Sequence, residues 1–302
     1  VPAPKLTEAS STPGSVRSPA ASVSAARPTR LALAAVLPVF GDSSHLSARL
    51  STGRSVLAQT VQQLLSCAGL DGREVLIAAD AARHEDLRGS LRDLAAPQLA
   101  RVRLVTLGPA NATRHRGVRV ARAAARACWR GGIANQSVYD EVFDPDALRS
   151  LAHAHHIDAV LLVGPDWSAV DPSLCDSVIA RHAANPEHSR FTFTQAPPGL
   201  CGCVLSRSLL EDFAAGAANT STAAAAGVFA SIGGLLGYIP FTPIVDLINL
   251  PECVAIDPML RDCWDGERFI ADTPRGRAVV QARLTGAASA PPAAPTHLGL
   301  HI

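Results

Sequence analysis

Lysine is scarce in this chain, aromatics make up only 4% of it, and neither sign of charge prevails. Among 302 residues, 27 Lys+Arg stand against 26 Asp+Glu, a formal charge of +1. So small a charge sets up no global field to gather nucleic acid or an anionic membrane, and any polyanion site must be local. The seven cysteines (Cys67, Cys128, Cys175, Cys201, Cys203, Cys253 and Cys263) form no CxxC pair. Cys201-x-Cys203 lacks the second pair that a zinc site needs. Free, mostly buried thiols in a reducing compartment, the cytoplasm, are therefore expected. No basic-then-apolar leader marks a secretory signal, and no GxSxG elbow supports Ser-His-Asp chemistry. Charge is also absent between Asp212 and Asp246. That stretch is rich in Gly, Thr and Ser and is broken by Pro240 and Pro243, whereas a spanning helix wants about 20 strongly apolar residues. Only residues 223–239 come close, so a buried helix and loop is expected rather than a membrane span.

What is present divides the chain in three. Residues 1–29 are Ser, Ala, Pro and Thr with almost no large apolar groups, and read as a disordered leader. Residues 287–302 are Pro/Ala-rich and read as a tail or linker, with a fused C-terminal domain as the expected continuation. Between them, residues 30–286 are expected to form one domain, and a composition that is 48% hydrophobic is ample for a large core. Short apolar runs at 31–39 and 159–163 read as buried strands, 74–79 and 101–107 read as further strands, and 190–195 reads as an alternating one. Helical patterns fall at 55–68, 81–94, 117–129, 147–155 and 172–182. This alternation predicts an α/β fold of three layers, α/β/α, around a mostly parallel twisted sheet. Ligands of such sheets sit beyond the carboxyl ends of the strands, at a topological switch point. The loops after Val39 and Val163 are thus the first candidates.

Small residues in the first loop, Gly41, Ser43, Ser44 and Ser47, let backbone amides approach phosphates. Arg49 and Arg54 could then neutralise a triphosphate with bidentate geometry; an ordinary strand-to-helix loop is the alternative. In the second loop, Asp166 lies just past a buried strand, where a carboxylate suits Mg²⁺. Asp171 precedes Pro172 and reads as a helix N-cap. Asp272-Thr273-Pro274 follows a strand-like lead, and its carboxylate reads equally as a cap or as a second metal ligand.

In their order these motifs resemble those of the GT-A-like nucleotidyltransferases, particularly the cytidylyltransferases that activate acidic sugars and the related spore-coat polysaccharide enzymes. The family's small-residue loop and its Arg-Leu-Pro-Gly-Lys and Gly-Lys-Pro-Leu stretches are matched by residues 45–49 and 53–56. Its metal-binding Gly-Asp resembles Gly164-Pro165-Asp166, and its late Asp-Thr-Pro is Asp272-Thr273-Pro274. Departures are Arg for both expected lysines, Phe40-Gly41-Asp42 at the loop start, and the inserted Pro165. The resemblance implies a bacterial, cytoplasmic, Mg²⁺-dependent transferase of polysaccharide biosynthesis. It would carry a nucleoside monophosphate from an NTP, CTP favoured, to a sugar-type acceptor and release pyrophosphate. It further implies that Arg49 and Asp166 are catalytic, that Asp166 and Asp272 hold the metal, and that Leu37, Pro38, Gly41, Ser43, Ser44, His45 and Arg54 hold the nucleotide. A homodimer is the candidate assembly, with no nucleic-acid partner. A glycosyltransferase using a nucleotide sugar and a catalytically degenerate nucleotide-binding module are the alternatives.

Four further features complete the reading. Arg119, Arg122, Arg126 and Arg130 share a helical face that reads as solvated. Residues 128–143 have the composition of a binding loop and are expected to shape the acceptor site. His153, His155 and His156 have poor spacing for a metal. The Pro-Pro-Gly turn in 195–203 is expected to border the acceptor pocket.

Overall fold

The computed structural model describes residues 31–107, 137–219 and 268–286, with His115, Gly117, Val118, Ile232, Cys253 and Val254. The expected leader, the tail, the helix at 117–129 beyond its first two residues, and most of the uncharged stretch after Asp212 lie outside them. The described residues fall in one compact unit.

Strand β1 (Leu33–Val39) is buried along its whole length. It runs parallel to β2 (Val75–Ala79) on one side and to β4 (Ala159–Leu162) on the other, with Val36 opposite both Leu76 and Leu162. Its continuous apolar run, LAAVLPV, is what a strand covered on both faces requires. Strand β3 (Val102–Thr106) pairs parallel with β2 at the sheet edge, and its half-exposed residues reflect that position. The far side reverses direction: β6 (Cys203–Ser206) lies antiparallel between β4 and β5 (Phe191–Thr194), and β7 (Cys253–Val254) runs parallel to β5. The result is a seven-stranded sheet in the order β3-β2-β1-β4-β6-β5-β7, mostly parallel as expected. Neither β6 nor β7 was expected. Four and two residues are too short to show a period, and β6 is set by its neighbours rather than by its own pattern. Strand β5 is buried throughout rather than alternating, because it lies inside the sheet.

The helices follow from local caps and apolar stripes. Ser55 caps α1 (Val56–Leu65) by accepting from the Ala58 amide at 3.0 Å, and the helix buries Val56, Leu57, Val61, Leu64 and Leu65. Short helices α2 (His84–Ser90) and α3 (Ala96–Leu99) follow β2. Asp144 caps α4 (Pro145–Ala154), which leads into β4. Asp171 caps α5 (Pro172–Ala184) through the Ser173 amide at 2.9 Å, as its Asp-Pro sequence predicted. Helices α6 (Arg207–Asn219) and α7 (Pro274–Leu284) complete the described set. Among the described residues no helix is long and apolar enough to cross a membrane. The described cysteines, Cys67, Cys175, Cys201, Cys203 and Cys253, are free and buried, as expected; Cys128 and Cys263 lie outside the described residues.

One buried titratable group on α5 makes stability depend on pH. The His182 ring is fully buried, with Nδ1 3.1 Å from Thr192 Oγ1 and no partner for Nε2 among the described residues. Desolvation lowers its pKa from 6.5 to about 4. The unfolded chain therefore binds this proton first. The contribution is whole above pH 6.5 and is lost as pH falls through about 4, amounting to about 3 kcal/mol in all. Urea unfolding of wild type and His182→Gln at several pH values between 7 and 4 checks this. The stability gap between them should narrow as pH falls, and a constant gap would show that His182 is not held neutral.

Candidate active site

At β1 the connections turn in opposite directions, toward β2 on one side and β4 on the other, so a crevice opens beyond the carboxyl ends of these strands. A cavity of about 290 Å³ occupies it. The end of β1 contributes Pro38, the first loop Phe40, Asp42, Ser43 and His45, and the loop after β4 Pro165, Asp166 and Trp167. Glu141 and Val142 come from the 3₁₀ turn Val138–Val142, and Arg268, Asp272 and Thr273 from the segment entering α7. Both loops singled out from the strand pattern thus meet in one place.

The first loop is shaped locally. Gly41 adopts φ +64°, a left-handed conformation that a side chain disfavours. Arg83, from the turn after β2, donates to the Gly41 carbonyl and, at 3.2 Å, to Ser43 Oγ. The Asp42 carboxylate accepts from the Ser44 amide at 2.9 Å and from its hydroxyl at 3.2 Å, forming an Asx turn. The charge of Asp42 is therefore partly absorbed by its own loop, and the Ser44 amide is already engaged. The 3₁₀ turn Ser44–Ser47 buries Leu46 and brings His45 Nε2 within 3.3 Å of Asp166 Oδ2.

The second loop is held from beneath. Trp167 folds back over Gly164, where any Cβ would collide with the indole. Thr60 and Ser168 interlock below it, the Thr60 hydroxyl donating to the Pro165 carbonyl at 3.1 Å. The Ala271 amide donates to the Asp166 carbonyl at 2.9 Å, which stitches the Asp272 segment directly to the Asp166 loop. Thr273, not Asp272, caps α7, accepting from the Gly276 amide at 3.0 Å. The carboxylate of Asp272 instead accepts from Arg268 Nη2 at 3.0 Å.

Arg268 is the residue that sequence reasoning missed. Its Nη1 and Nη2 grip both oxygens of Glu141 at 2.7 and 2.8 Å, and Nη2 also reaches Asp272. Burial works against its charge. The hydrogen bond and charge of Glu141, then the charges of Asp272 and Asp166, outweigh that and hold its pKa above the ordinary arginine value. The signal available in the sequence was an arginine in the apolar lead to Asp272-Thr-Pro. Glu141 fell within the segment expected to shape the acceptor site.

The other expected residues are distributed as follows. Asp166, Asp272, Pro38, Ser43 and His45 line the cavity, whereas Leu37 is fully buried in the core. Arg49 and Arg54 are not among the lining residues. A tight turn with Gly53 at φ +79° pairs Arg49 with Ser55 and carries the Arg49 guanidinium to Asp93 Oδ1 at 2.7 Å and to the Gly53 carbonyl at 2.6 Å. Burial would raise the Asp93 pKa, but the Arg49 hydrogen bond and the Ser55 amide lower it below the ordinary carboxylate value. The Pro-Pro-Gly turn supports the site from behind, since the Phe269 amide donates to the Pro198 carbonyl at 2.8 Å. His153 pairs with Glu211 at 3.1 Å. The arginine face at 119–130 and the loop at 128–136 lie outside the described residues.

No three His, Cys, Asp or Glu side chains gather as a metal-holding group among the described residues. Asp166 and Asp272 nevertheless offer two hard oxygen ligands on segments joined by a hydrogen bond. This suits Mg²⁺, which takes one or two carboxylates and completes its shell with water and substrate phosphates.

No known family matches the chain by sequence, and no curated protein matches it. Solved structures do. A cytidylyltransferase from Leptospira borgpetersenii superposes with a TM-score of 0.52 at 11% identity, covering 85% of this chain and 87% of that one. A CMP:2-keto-3-deoxy-manno-octonic acid synthetase complexed with CTP superposes at 0.45, with 12% identity over 84% and 98%. The 4-diphosphocytidyl-2C-methyl-D-erythritol synthase from Anaerococcus prevotii superposes at 0.44, with 11% identity over 85% and 98%.

Proposed function

We propose, from the fold that the chain shares with a cytidylyltransferase, that it is a nucleotidyltransferase, moving a nucleoside monophosphate from an NTP, CTP favoured, to a hydroxyl or phosphate of a sugar-type acceptor and releasing pyrophosphate. One observation carries the reading. Two carboxylates, Asp166 and Asp272, line one cavity at the switch point of the sheet, on segments joined by the Ala271–Asp166 hydrogen bond.

Phosphoryl transfer of this kind is mainly positioning and charge neutralisation. Mg²⁺, held by Asp166 and Asp272, would supply the positive charge that the α-phosphate and the leaving oxygens develop against. The chain's own residues set the geometry. His45 orients the Asp166 carboxylate, Arg268 holds that of Asp272 in the free protein, and buried Trp167 packs beneath the cavity as its floor. Ser43, small and steadied by Arg83, leaves room for a phosphate beside β1. A cavity of about 290 Å³ is small for a whole nucleotide, so base or acceptor extends beyond it along the first loop.

The test is a thermal-shift titration of the full chain with CTP, GTP, UTP and ATP, each with and without Mg²⁺, followed by pyrophosphate release with a sugar-acid panel. A ligand at about 100 times its Kd should stabilise by about 2.7 kcal/mol, a shift of several degrees. A Mg²⁺-dependent shift with one base supports the reading. Transfer from a nucleotide sugar without pyrophosphate release would convert it to a glycosyltransferase. No shift with any of the four would leave a binding module without nucleotide.

A further inference from the structure

Four carboxylates line the cavity, Asp42, Glu141, Asp166 and Asp272, and among the described residues that line it Arg268 is the one Lys or Arg. A triphosphate entering so acidic a crevice needs a fixed cation from the protein as well as its metal. The arginines of the first loop are poorly placed for this, with Arg49 held by Asp93 and Gly53 and Arg54 absent from the lining.

Arg268 meets the requirement on three counts. Its side chain is only 11% exposed, so its charge is little screened. The two-pronged grip on Glu141 fixes the plane of the guanidinium, and its Nε has no hydrogen-bond partner among the described residues. Nη2 is shared between Glu141 and Asp272, so it has a partner that it can give up.

We propose that Arg268 is the phosphate-binding cation of this site: Nη2 exchanges the Asp272 carboxylate for a phosphate oxygen of the departing pyrophosphate, while Glu141 keeps the guanidinium in place. This rests on the nucleotidyltransferase reading. In the free protein Arg268 neutralises Asp272, and in the occupied one Asp272 turns to the metal and Arg268 to the phosphate. The two carboxylates around one arginine thus have different tasks. Glu141 is a permanent support, and Asp272 is a partner to be released.

Inorganic pyrophosphate is the suitable probe, because its binding does not depend on which base or acceptor the enzyme uses. Titration calorimetry of the full chain with pyrophosphate and Mg²⁺ should show binding to wild type. Arg268→Met/Glu141→Gln, which removes both charges of the buried pair together and so protects folding, should bind about tenfold more weakly or worse. Arg268→Lys should fall between, keeping the charge but losing the fork. Glu141→Gln alone should weaken binding less than the double variant, with melting temperatures reported for all. Unchanged affinity in the double variant and in Arg268→Lys would overturn the proposal, as would a loss confined to Arg49→Ala. A wild type that binds neither pyrophosphate nor any NTP would instead overturn the nucleotidyltransferase reading on which the proposal rests.

Discussion

Asp166→Asn should lower pyrophosphate release by about a thousandfold or more while leaving the melting temperature within a few degrees of wild type. The expectation separates charge from shape. Asn has nearly the volume of Asp and can still meet His45 Nε2, so the 3.3 Å contact survives in one amide orientation. The stitch from the Ala271 amide goes to the backbone carbonyl of residue 166, which the substitution does not touch. What is lost is the negative oxygen facing the cavity, and with it one of the two hard ligands for the metal. Asp272→Asn should act in the same direction and also leave Glu141 as the carboxylate paired with Arg268, while the new amide oxygen can still accept from Nη2. Pyrophosphate release is to be followed across a Mg²⁺ series, so that weakened metal binding shows as partial recovery at high Mg²⁺. Retention of more than about a tenth of the wild-type rate would remove Asp166 from the metal-binding role.

Much of the frame was legible because parallel strands buried on both faces must be continuously apolar. The apolar runs at 31–39, 74–79 and 159–163 became β1, β2 and β4, and 101–107, with its two arginines, became the half-exposed edge strand β3, with ends shifted by one or two residues. Their loops then located the crevice without any knowledge of side-chain positions, since the switch point is a property of strand order. Asp171 was legible for a different reason: a cap acts on an amide two residues away, and Asp-Pro spells it locally. The choice of cation was not legible. Arg49 stands in the register where a phosphate-binding residue is expected, but the turn closed by Gly53 delivers it to Asp93, a partner well beyond the next strand. Arg268 takes its meaning from Glu141, 127 residues earlier. Local sequence carries caps and periods; ion pairs across the fold come from the packing of distant segments.

The second large effect falls on stability, and Trp167→Ala should produce it. Trp167 is 1% exposed and stands among the largest fully buried side chains. Its indole lies over Gly164, 6.0 Å from the Tyr139 ring centroid, and forms the floor from which Asp166 rises. Truncation should cost about 3–5 kcal/mol, because the turn between Trp167 and Gly164 is pinned by its own hydrogen bonds and cannot collapse into the void. For a domain of this size that lowers the melting temperature by about 10 °C or more. Gly164→Ala should also destabilise, by about 1–3 kcal/mol, for the opposite reason: the new methyl drives the indole out of its place. The two changes should therefore not add. With the indole already gone, the methyl added at position 164 no longer meets the three atoms nearest to it, and Gly164→Ala/Trp167→Ala should unfold close to the temperature of Trp167→Ala alone. Full additivity in the double variant would mean that Gly164 is required for its backbone rather than for the ring above it.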